Sequence, residues 1–147
     1  MKKVPIQDYN YFDTMARAQK GYARLMDPLC KKWSLTRNEL DVLLFLHNNP
    51  GFDRAADVAL HRGMAKSHVS LSVNALESKG LLRRRVDPED RRTIRLELAG
   101  DAAYIARQGR EAQKAFFARI YDGVTEEEMA VWTAATEKIS RNINNLE

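Results

Sequence analysis

Apolar residues recur along this chain in two rhythms, and the changes of rhythm divide it into parts. From Asp8 to about Lys32, Tyr9, Phe12, Met15, Ala16, Tyr22, Leu25, Met26 and Leu29 are spaced for one apolar face, which predicts a long helix. Pro28 lies inside that stretch and predicts a kink or an end one turn early, because proline lacks an N–H and its ring crowds the preceding turn. Thr36-x-x-Glu39 is a capping box, and Leu40 and Val42 to Leu46 follow it, apolar almost all round, as befits a helix at the centre of a core. Asn48-Asn49-Pro50-Gly51 breaks that helix, and a short one runs from Arg54 to Leu60 with Ala55, Ala56, Val58 and Ala59 as small packing residues. After Gly63, Ala65, Val69, Val73 and Leu76 set the buried face of another helix. Its opposite face carries Ser67, Ser70, Leu71, Asn74 and Ser78, flanked by Lys66 and His68. Gly80 ends it, since glycine takes the left-handed conformation at least cost.

From there the period shortens to two. Leu81 and Leu82 open an extended run, Asp87-Pro88-Glu89-Asp90 forms a turn, and Thr93 to Leu98 alternates polar and apolar as a half-buried strand does. Gly100 to about Tyr121 is helical again and Asp122-Gly123 stops it. Thr125-x-x-Glu128 is a second capping box, opening a last helix striped by Met129, Val131, Trp132, Ala135, Ile139, Ile143 and Leu146. This order predicts a mainly α chain with a small β-hairpin wing: a winged helix-turn-helix with long N- and C-terminal helices. Residues 34–99 form the winged part, and residues 1–33 and 100–147 a helical dimerisation region intertwined with it as one domain. The long stripes need a partner, and a second copy supplies one with two-fold symmetry.

Length and charge sharpen the picture. A chain of 147 residues fits one domain. Its 24 Lys and Arg against 20 Asp and Glu leave a formal charge of only +4, so any basic signal is local. It is concentrated between Arg83 and Arg95, where the arginines outnumber the acids, and that excess suits a nucleic acid. The single cysteine, Cys30, precludes an internal disulfide and suits a reducing cytoplasm. No apolar run has the length of a membrane span, and Met1 to Phe12 lacks the apolar core of a signal peptide, so the expectation is a cytoplasmic protein with no membrane partner. His47, His61 and His68 have no metal-ligand spacing, so neither a metal nor a cofactor is expected. No phosphate-cradling glycine loop, no carboxylate pair in an apolar setting and no Ser/His/Asp arrangement argues for an enzyme.

A small polar helix beside an arginine-tipped hairpin suits a groove of double-stranded DNA and its phosphates. Ser67, His68, Ser70 and Leu71 are the candidate base readers, Leu71 toward a thymine methyl, and Lys66 the candidate phosphate contact at the helix start. Arg91 and Arg92 sit at a tip that a narrow minor groove can receive, with Asp90 expected to hold Arg92 by a charge-assisted hydrogen bond. Arg83, Arg84 and Arg85 alternate faces on a strand, so they cannot all face DNA, and Arg84 is the one assigned to a phosphate. The competing readings are a solvated helix face and a strand edge blunted by charge. Tyr9, Phe12 and Tyr22 on the first helix read as packing against a partner subunit, or as the wall of a ligand pocket.

The string KSHVSLSVNALESKGLLRRRVDPEDRRTIRLEL resembles the winged helix-turn-helix of the MarR family of bacterial transcriptional regulators, most specifically in DPEDRR after LESKGLL. The resemblance covers nearly the whole chain. It implies a homodimer acting as a repressor on a pseudo-palindromic operator, released by a small aromatic or lipophilic anion or by an oxidant. It also implies that Arg92, placed as Asp-x-Arg with Asp90, enters the minor groove. Ala65 stands where the family has a Ser or Thr cap. The family's peroxide-sensing branch carries its reactive cysteine near the start of the first helix, whereas Cys30 lies at the far end beside Lys31 and Lys32. Redox sensing through Cys30 is thus an alternative to an inert buried thiol, and an architectural winged helix without an operator is an alternative to a specific regulator.

Overall fold

The computed structural model describes residues 11–146, with side chains from Asp13 onward. Six helices and one hairpin follow in the order α1 (Tyr11–Trp33), α2 (Arg37–Asn48), α3 (Ala55–Arg62), α4 (Lys66–Ser78), β1 (Leu82–Val86), β2 (Ile94–Leu98), α5 (Ala102–Ile120) and α6 (Glu126–Asn144). The chain divides into two compact units, one ending at Phe116 and the other beginning at Phe117, so α5 spans the division. The architecture is the mainly α fold with a small β wing expected from the sequence.

In the first unit α2 is the central element. Leu40, Val42, Leu43, Leu44, Phe45 and Leu46 are all buried, as an apolar surface all round requires. Its capping box is formed as expected: the Glu39 N–H donates to Thr36 Oγ1 at 3.2 Å, and the Thr36 N–H donates to Glu39 Oε2 at 2.9 Å. Met26 and Cys30 of α1, Val58 of α3, Val69, Val73 and Leu76 of α4, Leu82 and Leu96 of the hairpin, and Ile105 of α5 close one core around it. Deleting a side chain such as Leu43 or Leu76 here costs about 2–5 kcal/mol.

Helix α1 corrects one expectation: it runs through Pro28 to Trp33 without ending early. The chain leaves it through Ser34 in the left-handed region, with φ 53°. The Leu35 N–H donates to the Cys30 carbonyl at 2.9 Å and closes the turn. Lys79, just past α4, steadies this junction. Its ammonium donates to the Ser34 carbonyl at 2.7 Å and to the buried Glu39 carboxylate at 2.8 Å, so the end of α1, the start of α2 and the end of α4 share one cation.

Between α3 and α4 the chain turns at Gly63, φ 64°, which makes the helix-turn-helix. Helix α3 starts one residue later than the sequence suggested and ends two later, because Arg54 is its N-cap and donates through its backbone N–H to Asp57 Oδ2. Helix α4 ends in a Schellman turn at Gly80, φ 71°, where the Leu81 N–H donates to the Leu76 carbonyl at 2.9 Å. Strands β1 and β2 pair antiparallel, from Leu82 opposite Leu98 to Val86 opposite Ile94.

In the second unit the capping box at Thr125 is formed, the Glu128 N–H donating to Thr125 Oγ1 at 3.2 Å. No residue of α6 is buried, and Val131, Trp132, Ile139 and Ile143 are all more than half exposed. Phe117 and Tyr121 stack with ring centroids 6.0 Å apart. Among the described residues no helix is long and apolar enough to cross a membrane.

Candidate nucleic-acid interface

Helix α4 presents two chemically distinct faces. Val69, Val73 and Leu76 are sunk in the core against α2 and α3. Lys66, Ser67, His68, Ser70, Leu71 and Asn74 are all exposed, Leu71 by 67%, so every candidate base reader lies on the outward face as the periodicity required. Ala65 is the N-cap and offers no side-chain cap, which leaves first-turn N–H groups open to an external acceptor. Lys66 is exposed beside them.

Two aspartates shape the wing tip. Asp87 Oδ1 accepts from the N–H groups of Glu89 at 2.8 Å and Asp90 at 3.3 Å, the Asx turn that Asp-Pro-Glu-Asp favours. Its other oxygen accepts from Arg95 Nε at 2.9 Å. The Glu89 N–H first, and then the Arg95 guanidinium, hold the Asp87 carboxyl below its ordinary range. Asp90 corrects the expectation set for it. It does not clasp the Arg92 guanidinium; its Oδ1 accepts from the Arg92 backbone N–H at 3.1 Å and its Oδ2 from the Thr93 hydroxyl at 2.9 Å. The backbone of the tip is thereby fixed while the Arg92 side chain extends outward.

The structure sorts the arginines of this region into two groups. Arg84, assigned to a phosphate from the sequence, lies against α4, donating to Glu77 Oε1 at 2.7 Å and Asn74 Oδ1 at 2.6 Å. Arg85 pairs with Glu97 across the hairpin. Arg95 bridges Asp87 and Asp53, meeting Asp53 Oδ1 at 2.7 Å, and the Leu96 N–H donates to the Asp53 carbonyl at 2.7 Å. These three brace the wing. Arg83, Arg91 and Arg92 are exposed, and no ion pair among the described residues engages them. Sequence reading missed the Asp53–Arg95–Asp87 and Glu77–Arg84–Asn74 links. Neither has a local signal, since both depend on how the hairpin folds back on the helices.

The remaining sequence candidates are dispersed. Tyr9 and the side chain of Phe12 lie outside the described residues. Tyr22 packs at the edge of the first unit, its ring 4.4 Å beneath the Arg37 guanidinium and edge-on to Phe116 at 5.4 Å. Its hydroxyl accepts from Gln113 Nε2 at 2.7 Å. Cys30 is buried in the core, and burial pushes its thiol up from the ordinary value, with the Arg37 charge opposing. A reactive cysteine needs the opposite shift.

Residues 33–93, the span from the end of α1 to the wing tip, match the MarR family. In fold and sequence the chain is similar to the transcriptional regulator PA3341, at 25% identity over 92% of this chain and 99% of that one, with a TM-score of 0.79. It shares its fold with a MarR-family transcriptional regulator from Silicibacter pomeroyi, at 21% identity over 88% and 87% of the two chains and a TM-score of 0.74. It also shares its fold with S. aureus MepR seen in complex with DNA, at 18% identity over 92% and 99% and a TM-score of 0.73. The helix-turn-helix and its DPEDRR wing are thus similar to the MarR family of transcriptional regulators, and the chain as a whole shares the fold of these regulators.

Proposed function

We propose that this protein is a homodimeric repressor that binds a pseudo-palindromic operator in double-stranded DNA and is released by a small ligand. The observation that carries the reading is the division of labour in the wing and α4. Three arginines brace the wing while Arg91 and Arg92 stay exposed at its tip, beside a helix whose outward face is polar and whose first turn is open. In this reading Ser67, His68, Ser70 and Leu71 meet base edges, Lys66 a phosphate and Arg92 the minor groove, with Asp90 fixing the tip. Arg84 acts by joining the wing to α4.

The dimer is supported by α6, which exposes Val131, Trp132, Ile139 and Ile143 with no buried residue. Two-fold pairing would set the two α4 helices roughly 34–36 Å apart, one turn of DNA. DNA as partner places its work in the cytoplasm. The likeness to a DNA-bound relative agrees with this reading. Burial of Cys30 favours small-ligand release over oxidation, by population shift between dimers with well and badly spaced recognition helices.

The test is a mobility shift with the DNA upstream of the protein's own gene, at two salt concentrations and with scrambled competitor. Tight, competitor-resistant binding by a dimer is the expected result. Weak binding that collapses with salt and ignores sequence would identify an architectural module instead.

A further inference from the structure

The outward face of α4 does not end at the candidate base readers. Asn74 lies one turn past Ser70 and Leu71 and is exposed as they are. Arg84 of the wing reaches it. On the hairpin Arg84 shares a face with Leu82, two positions before it, and with Leu96, directly opposite, and both leucines are buried in the core. That face looks toward α4, and the guanidinium forks across one helical turn. Its Nη1 donates to Glu77 Oε1 at 2.7 Å and its Nη2 to Asn74 Oδ1 at 2.6 Å.

The fork sets which way the Asn74 amide points. A guanidinium carries N–H donors and no acceptor, so the amide atom that faces it is the oxygen. The amide nitrogen is then the group left facing out, and no hydrogen bond among the described residues uses it. A free asparagine reads adenine with its oxygen and nitrogen together. Here the oxygen is committed to the protein, and what Asn74 offers DNA is a donor.

Its place on the helix selects the acceptor. Asn74 lies roughly 10 Å along the axis beyond Ser67, and a recognition helix meets base edges through its N-terminal part. DNA that holds α4 in a major groove and the wing tip in the neighbouring minor groove runs one sugar–phosphate strand between the two. The Asn74–Arg84 contact is where helix and wing join, so the acceptor in front of it is a phosphate oxygen.

We propose that Asn74 is a phosphate-positioning residue: Arg84 holds its amide oxygen, and its amide N–H donates to the backbone strand that passes between α4 and the wing. The inference rests on the reading of α4 and the wing as the DNA-binding surface. It gives Arg84 a second task, since by aiming Asn74 it helps set the register of the helix on the duplex.

A mobility shift separates this role from a purely structural one. It compares the full chain with Asn74→Ala and Asn74→Asp, on the duplex from upstream of the protein's own gene and on a scrambled duplex of equal length. Both variants alter an exposed position, and urea unfolding checks that each is folded. Asn74→Ala should weaken binding by about tenfold or more, by the same factor on both duplexes and with an unchanged salt slope. A neutral donor to a phosphate carries no sequence information and releases no counterion. Asn74→Asp keeps an oxygen for Arg84 but lacks the donor and turns a charge toward the phosphate, so it should bind more weakly than Asn74→Ala. Were Asn74 only a brace for the wing, that order would reverse, because a carboxylate holds a guanidinium at least as well as an amide does. The reversal, or wild-type affinity in Asn74→Ala, would overturn the proposal. So would a loss confined to the upstream duplex, which would make Asn74 a base reader. Failure of the operator reading shows separately, as equal affinity of the unaltered protein for the two duplexes, on which the order of the variants is still measured.

Discussion

Gly109 on α5 offers a test of the core in which two effects of known size oppose each other. A Cβ at this position would stand 2.7 Å from Leu44 Cδ2 and 3.3 Å from its Cδ1 and Cγ. Carbon pairs are most favourable at about 3.5–4.0 Å, so the whole Leu44 side chain would have to move. Leu44 is only 2% exposed and has nowhere open to go. Overpacking of this kind costs about 1–3 kcal/mol. Against it, replacing a helical glycine with alanine gains about 1 kcal/mol of helix propensity. Gly109→Ala should therefore destabilise by up to about 2 kcal/mol. In a Leu44→Ala background the obstructing atoms are gone. There the same substitution keeps the propensity gain and adds roughly 0.8 kcal/mol for a buried methyl, so it should stabilise. Urea unfolding of the four proteins at one fixed protomer concentration closes the cycle. The expected coupling is about 2–4 kcal/mol with a change of sign. An equal loss in both backgrounds would mean that α2 and α5 do not meet as described.

Other outcomes follow from the wing, α6 and the paired carboxylates. Arg92→Ala should cost about 1–3 kcal/mol of operator affinity and leave the dimer intact by sedimentation. Arg84→Ala should weaken binding without changing its salt dependence, because that charge is already matched by Glu77; a fall in slope of about one would show Arg84 on a phosphate instead. Ile139→Asp, in the exposed stripe of α6, should shift sedimentation from dimer to monomer. The Asp57 carboxyl is held below its ordinary range, chiefly by the Arg54 guanidinium. A depressed folded value contributes stability above the unfolded value of about 3.9 and loses it as pH falls through the folded one. Thermal unfolding should accordingly show a loss below about pH 4 that is smaller in Asp57→Asn.

Much of this was readable from spacing. Both capping boxes, the Gly63 and Gly80 turns and the buried face of α4 are local devices, and local chemistry sets them without help from distant parts of the chain. Pro28 does not end the helix early, because removing one N–H weakens a helix but does not stop it when Met26 and Cys30 on either side are held in the core. The triplet Arg83-Arg84-Arg85 could be divided by strand alternation, but not the partners of its members. Glu77 meets Arg84 only because the chain reverses at Gly80. Asp53 and Arg95, or Asn48 and Gln113, are distant in sequence, and no pattern within a window connects them. Asp90 shows the finer limit: the sequence placed it beside Arg92, but whether a carboxylate takes a guanidinium or a backbone N–H is decided by the turn.

The two kinds of arginine in the wing bear on how such a protein can change over generations. Arg95 holds Asp53 and Asp87 at once, so its loss leaves two carboxylates without their shared cation. Those three positions are tied to one another, and drift at any of them is checked by the other two. Among the described residues no hydrogen bond or ion pair engages the side chains of Arg91 and Arg92, since the tip is shaped by Asp87 and Asp90 through the backbone and Thr93. Those two arginines can be exchanged one at a time with the scaffold unchanged. On the proposed reading, a lineage could retune its choice of DNA at the tip by single substitutions, while the clamp beneath keeps the wing in place.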